Sequence, residues 1–260
     1  SDVCSSDLGI CDTCISEDGK VAAIVEVNSE TDFVAKNDTF KAFVADVCAQ
    51  AAASDAKDID AFLAETWAKD SSKSVNEALA AQIAIIGENM KIRRFEKVVA
   101  ADGFVESYIH GGGKIGILVE FKSNVYTAAV RECAKNVAMQ IAAMSPKYVR
   151  QSEISEEYIA KEKEILKEQA MNDPANANKP EAIIDKMLVG RLNKQMKEIC
   201  LVDQAYVKDG DMTVAKYIES VAKAEGCELD IVKFVRFATG EGLEKKNENF
   251  AEEVAKQMGQ

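Results

Sequence analysis

The chain has 260 residues, of which 47% are hydrophobic and 29% are charged, a composition typical of an ordinary globular protein. Its formal net charge of −12 argues against broad binding to a nucleic-acid backbone, which requires clustered lysines and arginines. No apolar run approaches the roughly 20 residues that a membrane-spanning helix needs, and no signal-peptide pattern opens the chain. The odd number of scattered cysteines favours reduced thiols in a cytoplasm over a disulfide framework.

Residues 1–14 differ from the rest of the chain, because they hold three of the seven cysteines and have almost no apolar pattern. Cys11 and Cys14 have the spacing of half a zinc site. A second ligand pair is missing, since only Cys4 lies nearby and the single histidine, His110, is far along the chain. We therefore interpret 1–18 as a disordered or foreign leader and expect no metal site there.

The remainder of the chain contains an internal duplication. Residues 19–27 closely parallel residues 113–121, and both runs open with glycine and are rich in β-branched residues, which predicts two buried strands. An amphipathic helix follows each run. In the first helix a single apolar stripe is formed by Phe40, Phe43, Val44, Val47 and Ala51. Each copy closes with an alternating strand, at 89–95 and at 230–237.

These elements predict an α+β fold of two related subdomains, each a small antiparallel sheet covered by helices. The first subdomain spans 19–100, and the second spans 101–147 and 200–247. Between its two parts, residues 148–199 carry two apolar helical stripes around a proline-containing turn, which predicts a projecting antiparallel helical hairpin. A short C-terminal helix is predicted over 248–260.

Local signals define two of the helices more closely. In the first subdomain, beyond a helix near Ile59–Trp67, Ser74 and Glu77 form a capping box at the start of the next helix. In the second subdomain, Thr213 caps a helix that ends near Gly226.

The junction between strand and helix is three residues longer in the first copy, and the surplus falls around 29–35. Extra residues at such a junction predict a protruding loop, and loops on a rigid scaffold often carry function. This loop presents an acid, Asp32, beside a large aromatic residue, Phe33. Periodicity alone favours a Phe33 side chain that packs back onto its own helix, as apolar side chains usually do.

Residues 26–36 resemble, without a gap, the signature segment of bacterial elongation factor Ts. Further matches to this family follow in order at 86–94, 108–116 and 234–245, so that the resemblance covers about residues 19–260. Four matches in order are very specific. One departure is that the family begins with a small three-helix, ubiquitin-associated-like domain that docks on elongation factor Tu. Nothing before Gly19 resembles that domain, and we expect its docking contact to be missing.

The resemblance implies a guanine-nucleotide exchange factor for elongation factor Tu in protein synthesis. Asp32 and Phe33 match the acid and the aromatic residue that, in the family, intrude between helices of the Tu nucleotide domain. That intrusion disturbs the magnesium and phosphate site, so that GDP leaves faster. Together with Thr31 and Val34 they form the expected partner-binding loop. The alternative is a structural or chaperone-like subunit that binds elongation factor Tu but exchanges its nucleotide weakly.

Four further residues match contact positions of the family: Ile86, His110, Val207 and Phe250. Other interpretations stay open for three of them. Ile86, in its apolar run, is more typical of a core, His110 is equally typical of a surface or a strand end, and Phe250 is also typical of a helix anchor. The helical hairpin offers a surface for a second copy of the chain, as in a homodimer, or for a partner.

Enzyme interpretations have little support in the sequence. His110 and the three glycines after it imitate the oxyanion loop of some esterases, but a Gly-x-Ser-x-Gly elbow is missing. Gly111–Lys114 imitates a phosphate loop, yet Ile115 stands where a Walker motif requires serine or threonine. A single histidine leaves little for acid–base chemistry. We expect no catalysis by this chain, no cofactor, no direct nucleic-acid or membrane partner, and a cytoplasmic location.

Overall fold

The computed structural model describes residues 8–243. The strands are β1 (Leu8–Ile15), β2 (Val21–Ser29), β3 (Met90–Val99), β4 (Gly103–His110), β5 (Ile115–Ser123), β6 (Ala205–Tyr206), β7 (Asp209–Thr213) and β8 (Leu229–Ala238). The α-helices are α1 (Asp32–Ala35), α2 (Asp38–Ala53), α3 (Ile59–Ala64), α4 (Val75–Ile86), α5 (Ala128–Met144), α6 (Glu156–Asn172), α7 (Glu181–Ile199) and α8 (Val214–Glu225).

Two three-stranded antiparallel sheets form the body of the molecule. The first has the order β1-β2-β3 and the second β4-β5-β8, while β6 and β7 form a separate small hairpin. Helix α2 packs on the outer face of the first sheet and α5 on the outer face of the second. The predicted α+β fold is therefore confirmed.

Strand β1 corrects the prediction for the start of the chain. Residues 8–15 are an ordered edge strand that pairs along its whole length with β2, from Leu8 opposite Ser29 to Ile15 opposite Ala22. The prediction of a disordered leader over 1–18 is wrong for these residues, and residues 1–7 lie outside the described range. The physical reason is backbone pairing, because an edge strand gains a full row of hydrogen bonds even where its side chains are only half-buried.

The two sheets face each other across an inner apolar layer. Side chains alternate along a strand, so Ile24 of β2 points into this layer while Val25 points to the core beneath α2. Leu118 of β5 and Phe237 of β8 enter the layer from the second sheet. The backbone N–H of Cys11 donates to the carbonyl of Gly113 at 2.7 Å, which links the sheets directly. The two subdomains consequently share this layer, while each keeps a core of its own beneath its helix.

The helix signals read from the sequence are confirmed. All five residues of the apolar stripe on α2 are buried. Helix α4 begins at a capping box in which the Ser74 and Glu77 side chains each bond the other's backbone N–H. Thr213 caps α8, which ends at Gly226 in the left-handed conformation.

The helices α6 and α7 form the antiparallel hairpin, with a small apolar cluster at its base. The chain leaves the body at Tyr148 and returns at Cys200, and these two residues form an isolated β-bridge. Leu201 N–H donates to the Tyr148 carbonyl at 2.9 Å, and Tyr148 N–H donates to the Ile199 carbonyl at 3.1 Å. The two ends of the hairpin are therefore joined at a single root.

Candidate functional site

The link between β2 and α2 presents an aromatic side chain to solvent. Helix α1 is a single turn of four residues in which Val34 is 5% exposed and packs into the core beneath α2, while Phe33 is 85% exposed. Asp32 is also exposed. The expectation from periodicity, that Phe33 packs onto its own helix, is wrong. Val34 is the residue that packs inward, so the structure does not place it where a partner would meet it.

Side chains from the segment after α4 hold the approach to this turn. The Thr31 hydroxyl lies 2.8 Å and 3.0 Å from the two carboxylate oxygens of Glu88, to which it donates. The Asn89 amide donates to Glu30 at 2.9 Å. Ser29 Oγ donates to the Thr31 carbonyl at 3.1 Å. Three polar side chains, those of Glu88, Asn89 and Ser29, therefore hold the two residues that precede Asp32.

A buried ion cluster lies in the sheet near the link, where Glu26 of β2 pairs with Arg94 of β3. Glu26 of β2 is fully buried and accepts from Arg93 Nη1 at 3.0 Å and 3.1 Å, and also from Arg94 Nε. The Gly240 N–H donates to Glu26 at 2.8 Å, so the chain beyond β8 is tied to the first sheet. The Arg94 guanidinium stacks 4.1 Å from the centre of the Phe237 ring. The cluster joins both sheets at this end of the molecule.

Protonation of Glu26 is set by two opposing effects. Burial disfavours the charged carboxylate and raises its pKa. The Gly240 N–H, the Asn28 amide and Arg94 favour the charged form, and together they hold the pKa of Glu26 below its usual value. The carboxylate is therefore ionised at neutral pH, as a buried partner of two arginines must be.

The family-matched isoleucine is not the exposed one. Ile86, the last residue of α4, is half-buried and packs against the first core, whereas its neighbour Ile85 is 68% exposed. Helix α4 then ends at Gly87, whose φ of 82° reverses the chain toward Glu88. Ile85 therefore presents an exposed apolar side chain three residues before Glu88, which bonds Thr31. The sequence analysis missed this feature. A rotation of about 100° per residue separates neighbouring side chains on a helix, which is why one position decides exposure.

His110 ends β4 at the exposed entrance to a glycine turn. Its Nδ1 lies 3.0 Å from the Tyr108 hydroxyl. Gly113 closes the turn with a φ of 104°, and a Cβ on this residue would lie 2.9 Å from the Ile10 Cβ. Ile10 pairs with Val27, which lies near the C-terminal end of β2. The His110 turn and the C-terminal end of β2 therefore lie at the same end of the body.

Val207 is exposed in the turn between β6 and β7. Its backbone N–H donates to the Gln140 side chain at 2.8 Å, which fastens the turn to α5. Val207 therefore belongs to the second subdomain. Phe250 and the helix predicted over 248–260 lie outside the described residues.

Cys11 and Cys14 do not form half of a metal site. Cys11 points into the layer between the sheets, where burial raises the pKa of its thiol to about 12. Cys14 lies three residues along the same strand and packs on the opposite face, where its thiol donates to the Cys48 carbonyl at 3.2 Å. Across residues 8–243, no three His, Cys, Asp or Glu side chains are grouped so that they could hold a metal ion.

Helices long and apolar enough to cross a membrane are also missing from the part of the chain that the structure describes.

What the geometry defines is an α+β protein of two repeated sheet-and-helix units with a projecting helical hairpin and an exposed Asp-Phe turn. Residues 30–241 match the family model described as Elongation factor TS. The chain belongs to the elongation factor Ts family of translation elongation factors.

Several relatives from clostridia are similar to this chain over most of its length. Elongation factor Ts of Clostridioides difficile (strain 630) is 51% identical over 244 residues, which cover 94% of this chain and 78% of the relative. That of Clostridium perfringens (strain 13 / Type A) is 49% identical over 251 residues, 96% of this chain and 81% of the relative. That of Clostridium kluyveri (strain NBRC 12016) is 47% identical over 250 residues, 96% of this chain and 80% of the relative.

The extent of these matches bears on the start of the chain. A match that covers 96% of 260 residues leaves fewer residues unmatched than the 18 assigned to a foreign leader. Part of 1–18 therefore belongs to the family sequence, in agreement with the pairing of β1.

Proposed function

We propose that this chain is a guanine-nucleotide exchange factor for elongation factor Tu and that it acts without catalysing a chemical reaction. The observation that carries the proposal is the exposed Phe33 beside Asp32, on a turn whose neighbour Val34 is anchored in the core. An 85% exposed phenylalanine on an anchored turn has most of its apolar surface free for a partner. In the proposed mechanism, Asp32 and Phe33 enter the Tu nucleotide domain and disturb its magnesium and phosphate site.

The size of the expected effect follows from the burial of one aromatic side chain. Burying a phenylalanine contributes roughly 1.5–3 kcal/mol. Since each 1.4 kcal/mol or so is a factor of ten, Phe33 alone accounts for a weakening of GDP binding by about one to two orders of magnitude. The coupling is reciprocal, so GDP weakens the binding of this chain by the same factor. One molecule can then act on many molecules of elongation factor Tu.

The wider contact surface is part of the same proposal. Thr31, Asp32, Phe33 and Ile86 lie at or beside the first link, and His110 lies at the same end of the body. Val207 would make a separate contact from the second subdomain. The net charge of −12 is consistent with a protein partner rather than a nucleic acid, and we place the protein in the cytoplasm, where translation occurs.

The test is the release of a fluorescent GDP analogue from elongation factor Tu, with and without this chain. We expect a large acceleration that depends on the concentration of the chain. Phe33→Ala should lower the maximum release rate about 10- to 100-fold. The matched control is Val99→Ala, since Val99 is 58% exposed and pairs with Val21 at the opposite end of β2.

Each outcome distinguishes between the two functions considered. Release at the parent rate with Phe33→Ala would contradict the role given to this side chain. Detectable binding to elongation factor Tu without any acceleration of release would favour the structural or chaperone-like subunit. If binding itself were undetectable, both functions would be contradicted.

We also propose that the hairpin is a surface for a second copy of the chain or for a partner. Four of its apolar side chains are exposed: Ile165, Met171, Ile183 and Val189. Sedimentation velocity of the parent and of Met171→Glu tests the homodimer. A dimer that the substitution dissociates would support it, and a monomeric parent would contradict it.

A further inference from the structure

The turn that carries Phe33 is too short to hold its own position. A four-residue helix is at the length where nucleation cost outweighs its few hydrogen bonds. At the end of α1, Lys36 N–H donates to the Phe33 carbonyl at 3.2 Å and Asn37 N–H donates to the Val34 carbonyl at 2.9 Å. The residue at its N-cap, Thr31, makes no side-chain cap to the turn. Contacts from outside α1 must therefore fix it.

The Thr31 hydroxyl is used for a different bond. A threonine at an N-cap commonly accepts from a backbone N–H of the first turn, which stabilises the helix itself. Here the hydroxyl donates to Glu88, 57 residues along the chain. This bond contributes little to the internal helicity of α1, but it fixes where α1 sits on the body. A hydrogen bond to a charged carboxylate is also stronger than one to a neutral acceptor.

Glu88 and its neighbour extend the sheet beyond its last backbone pair. The ladder between β2 and β3 ends where Ser29 pairs with Met90. Past that point, Asn89 donates to Glu30 and Glu88 accepts from Thr31, so two side-chain bonds continue the pairing by two steps. The strand pair thereby reaches the residue next to Asp32.

We propose that Glu88 is a positioning residue that holds the Asp32–Phe33 turn away from the body, ready for its partner. The inference rests on the proposed function for its effect on GDP release. Glu88 itself is half-buried and reaches Thr31 because Gly87 ends α4 in the left-handed conformation. Without the bond to Glu88, Val34 and Ala35 still pack against the core and Asn89 still bonds Glu30, but the Thr31 side chain next to the turn is released. We expect α1 then to sample other positions.

A positioning role predicts a particular kinetic pattern. When only a fraction of the free protein is competent to bind, the apparent dissociation constant rises by the inverse of that fraction, while the bound complex is unchanged. Glu88→Ala should therefore raise the concentration of chain needed for half-maximal GDP release about tenfold. The maximum release rate should stay within about twofold of the parent. Phe33→Ala should show the opposite pattern, because it removes the side chain that acts within the complex.

Substitutions of matched shape sharpen this test. Glu88→Gln keeps an oxygen that accepts from Thr31 and should restore most of the affinity. Thr31→Val keeps the side-chain shape but removes the donor, and should match Glu88→Ala. The double variant should be no worse than either single one, since both remove the same bond. Glu17→Ala is the control, because Glu17 is an exposed carboxylate in the turn between β1 and β2.

Hydrogen exchange in the free chain separates this inference from the proposed function. In Glu88→Ala the amides of Lys36 and Asn37 should exchange about tenfold faster than in the parent, and amides of the β2–β3 ladder should be unaffected. Unchanged exchange at these two amides would overturn the positioning role, whatever happens to GDP release. If the parent chain does not accelerate GDP release from elongation factor Tu, the proposed function is contradicted, and amide exchange alone decides whether Glu88 holds the turn.

A lower maximum rate with an unchanged half-maximal concentration in Glu88→Ala would also overturn the positioning role. That pattern would mean that Glu88 acts within the complex. Urea unfolding of each variant shows whether the changes are confined to the turn, because Glu88 and Thr31 are only half-buried and their loss should leave the global free energy of unfolding within about 1 kcal/mol.

Discussion

In the first repeat residues 30–37 join the middle strand β2 to α2, and in the second repeat residues 124–127 join β5 to α5. The longer link contains α1 and the exposed Phe33, whereas the shorter one leads directly into the Thr127 cap of its helix. Both links follow the middle strand of their sheet, so the comparison isolates what the first link has and the second lacks.

The two repeats have equivalent residues at several single positions. Gly9 and Gly103 each lie ten residues before the glycine that precedes the middle strand, Gly19 or Gly113. A Cβ on Gly9 would lie 2.2 Å from the Val27 carbonyl oxygen, and one on Gly103 would lie 1.8 Å from the Phe121 carbonyl oxygen. Both middle strands also carry an irregularity after the equivalent glutamate, at Glu26 and at Glu120. The duplication therefore includes β1 as the counterpart of β4.

The equivalent glutamates have very different partners. Glu26 is buried against Arg93 and Arg94 and also accepts from Gly240. Glu120 is paired in register with Lys233, and within residues 8–243 its carboxylate accepts a single bond, from the Ala101 N–H at 3.3 Å. The repeat that carries the longer link thus also carries the buried ion cluster. This comparison teaches that the first repeat is more heavily cross-linked by side-chain bonds at the end where its link protrudes.

Removal of the Glu26 charge should have the largest effect on stability. Glu26→Gln leaves two partly buried arginines without their carboxylate and should cost about 3 kcal/mol of unfolding free energy. Glu120→Gln is the matched variant in the other repeat and should cost about 1 kcal/mol or less, because an amide oxygen can still accept from Ala101. Urea denaturation followed by circular dichroism compares the two. Equal losses would show that the ion cluster does not distinguish the repeats.

A side chain on Gly9 should have the next largest effect. Gly9→Ala places a Cβ against the Val27 carbonyl at a φ of 134°, and we expect a loss of about 2 kcal/mol. Gly210→Ala, at a position with nothing within 4 Å, is the control and should change stability by less than about 0.5 kcal/mol. Thermal unfolding measures both. A harmless Gly9→Ala would mean that β1 is not part of the cooperative fold.

The dependence of the free energy of unfolding on acidic pH should differ between the parent and Glu26→Gln. Because the folded pKa of Glu26 is held below its usual value, its stabilisation is present above the unfolded pKa of about 4.3 and is lost as pH falls through the folded pKa. The stability difference between the two proteins should therefore shrink below about pH 4. Unfolding midpoints measured from pH 7 to pH 3 test this, and a difference independent of pH would contradict it.

The smallest effect on stability should come from the residue proposed to matter most for exchange. Phe33→Ala should change the free energy of unfolding by less than about 0.5 kcal/mol, since Phe33 is largely exposed. Phe40→Ala, seven residues later and fully buried, should cost about 3–5 kcal/mol. Urea unfolding compares the pair. A large loss for Phe33→Ala would mean that its side chain packs on the body in solution.

The middle strands and long helices could be predicted because burial on a face repeats with a fixed period. Strand β1 could not, since its exposed edge tolerates Asp12, Thr13 and cysteines that break the apolar alternation. The duplication held the missing signal. Strand β4 precedes β5 through a glycine turn, and the segment before Gly19 stands in the same relation to β2.

Less of the site than of the fold could be predicted from the sequence. A turn of four residues is shorter than two helical periods, so periodicity could not decide between Phe33 and Val34 as the buried side chain. The resemblance to a family singled out Phe33, and the structure supplied its exposure. The bonds from Glu88 and Asn89 depend on the register of β2 against β3, which sequence patterns fix only within a residue or two.

The root of the helical hairpin has a consequence for how this molecule can change over evolutionary time. Because the chain departs and re-enters through the bridge between Tyr148 and Cys200, helical turns can be gained or lost at the tip without altering the separation of those two residues. The length of the hairpin can thus change independently of the rest of the fold, while the two sheets stay the same.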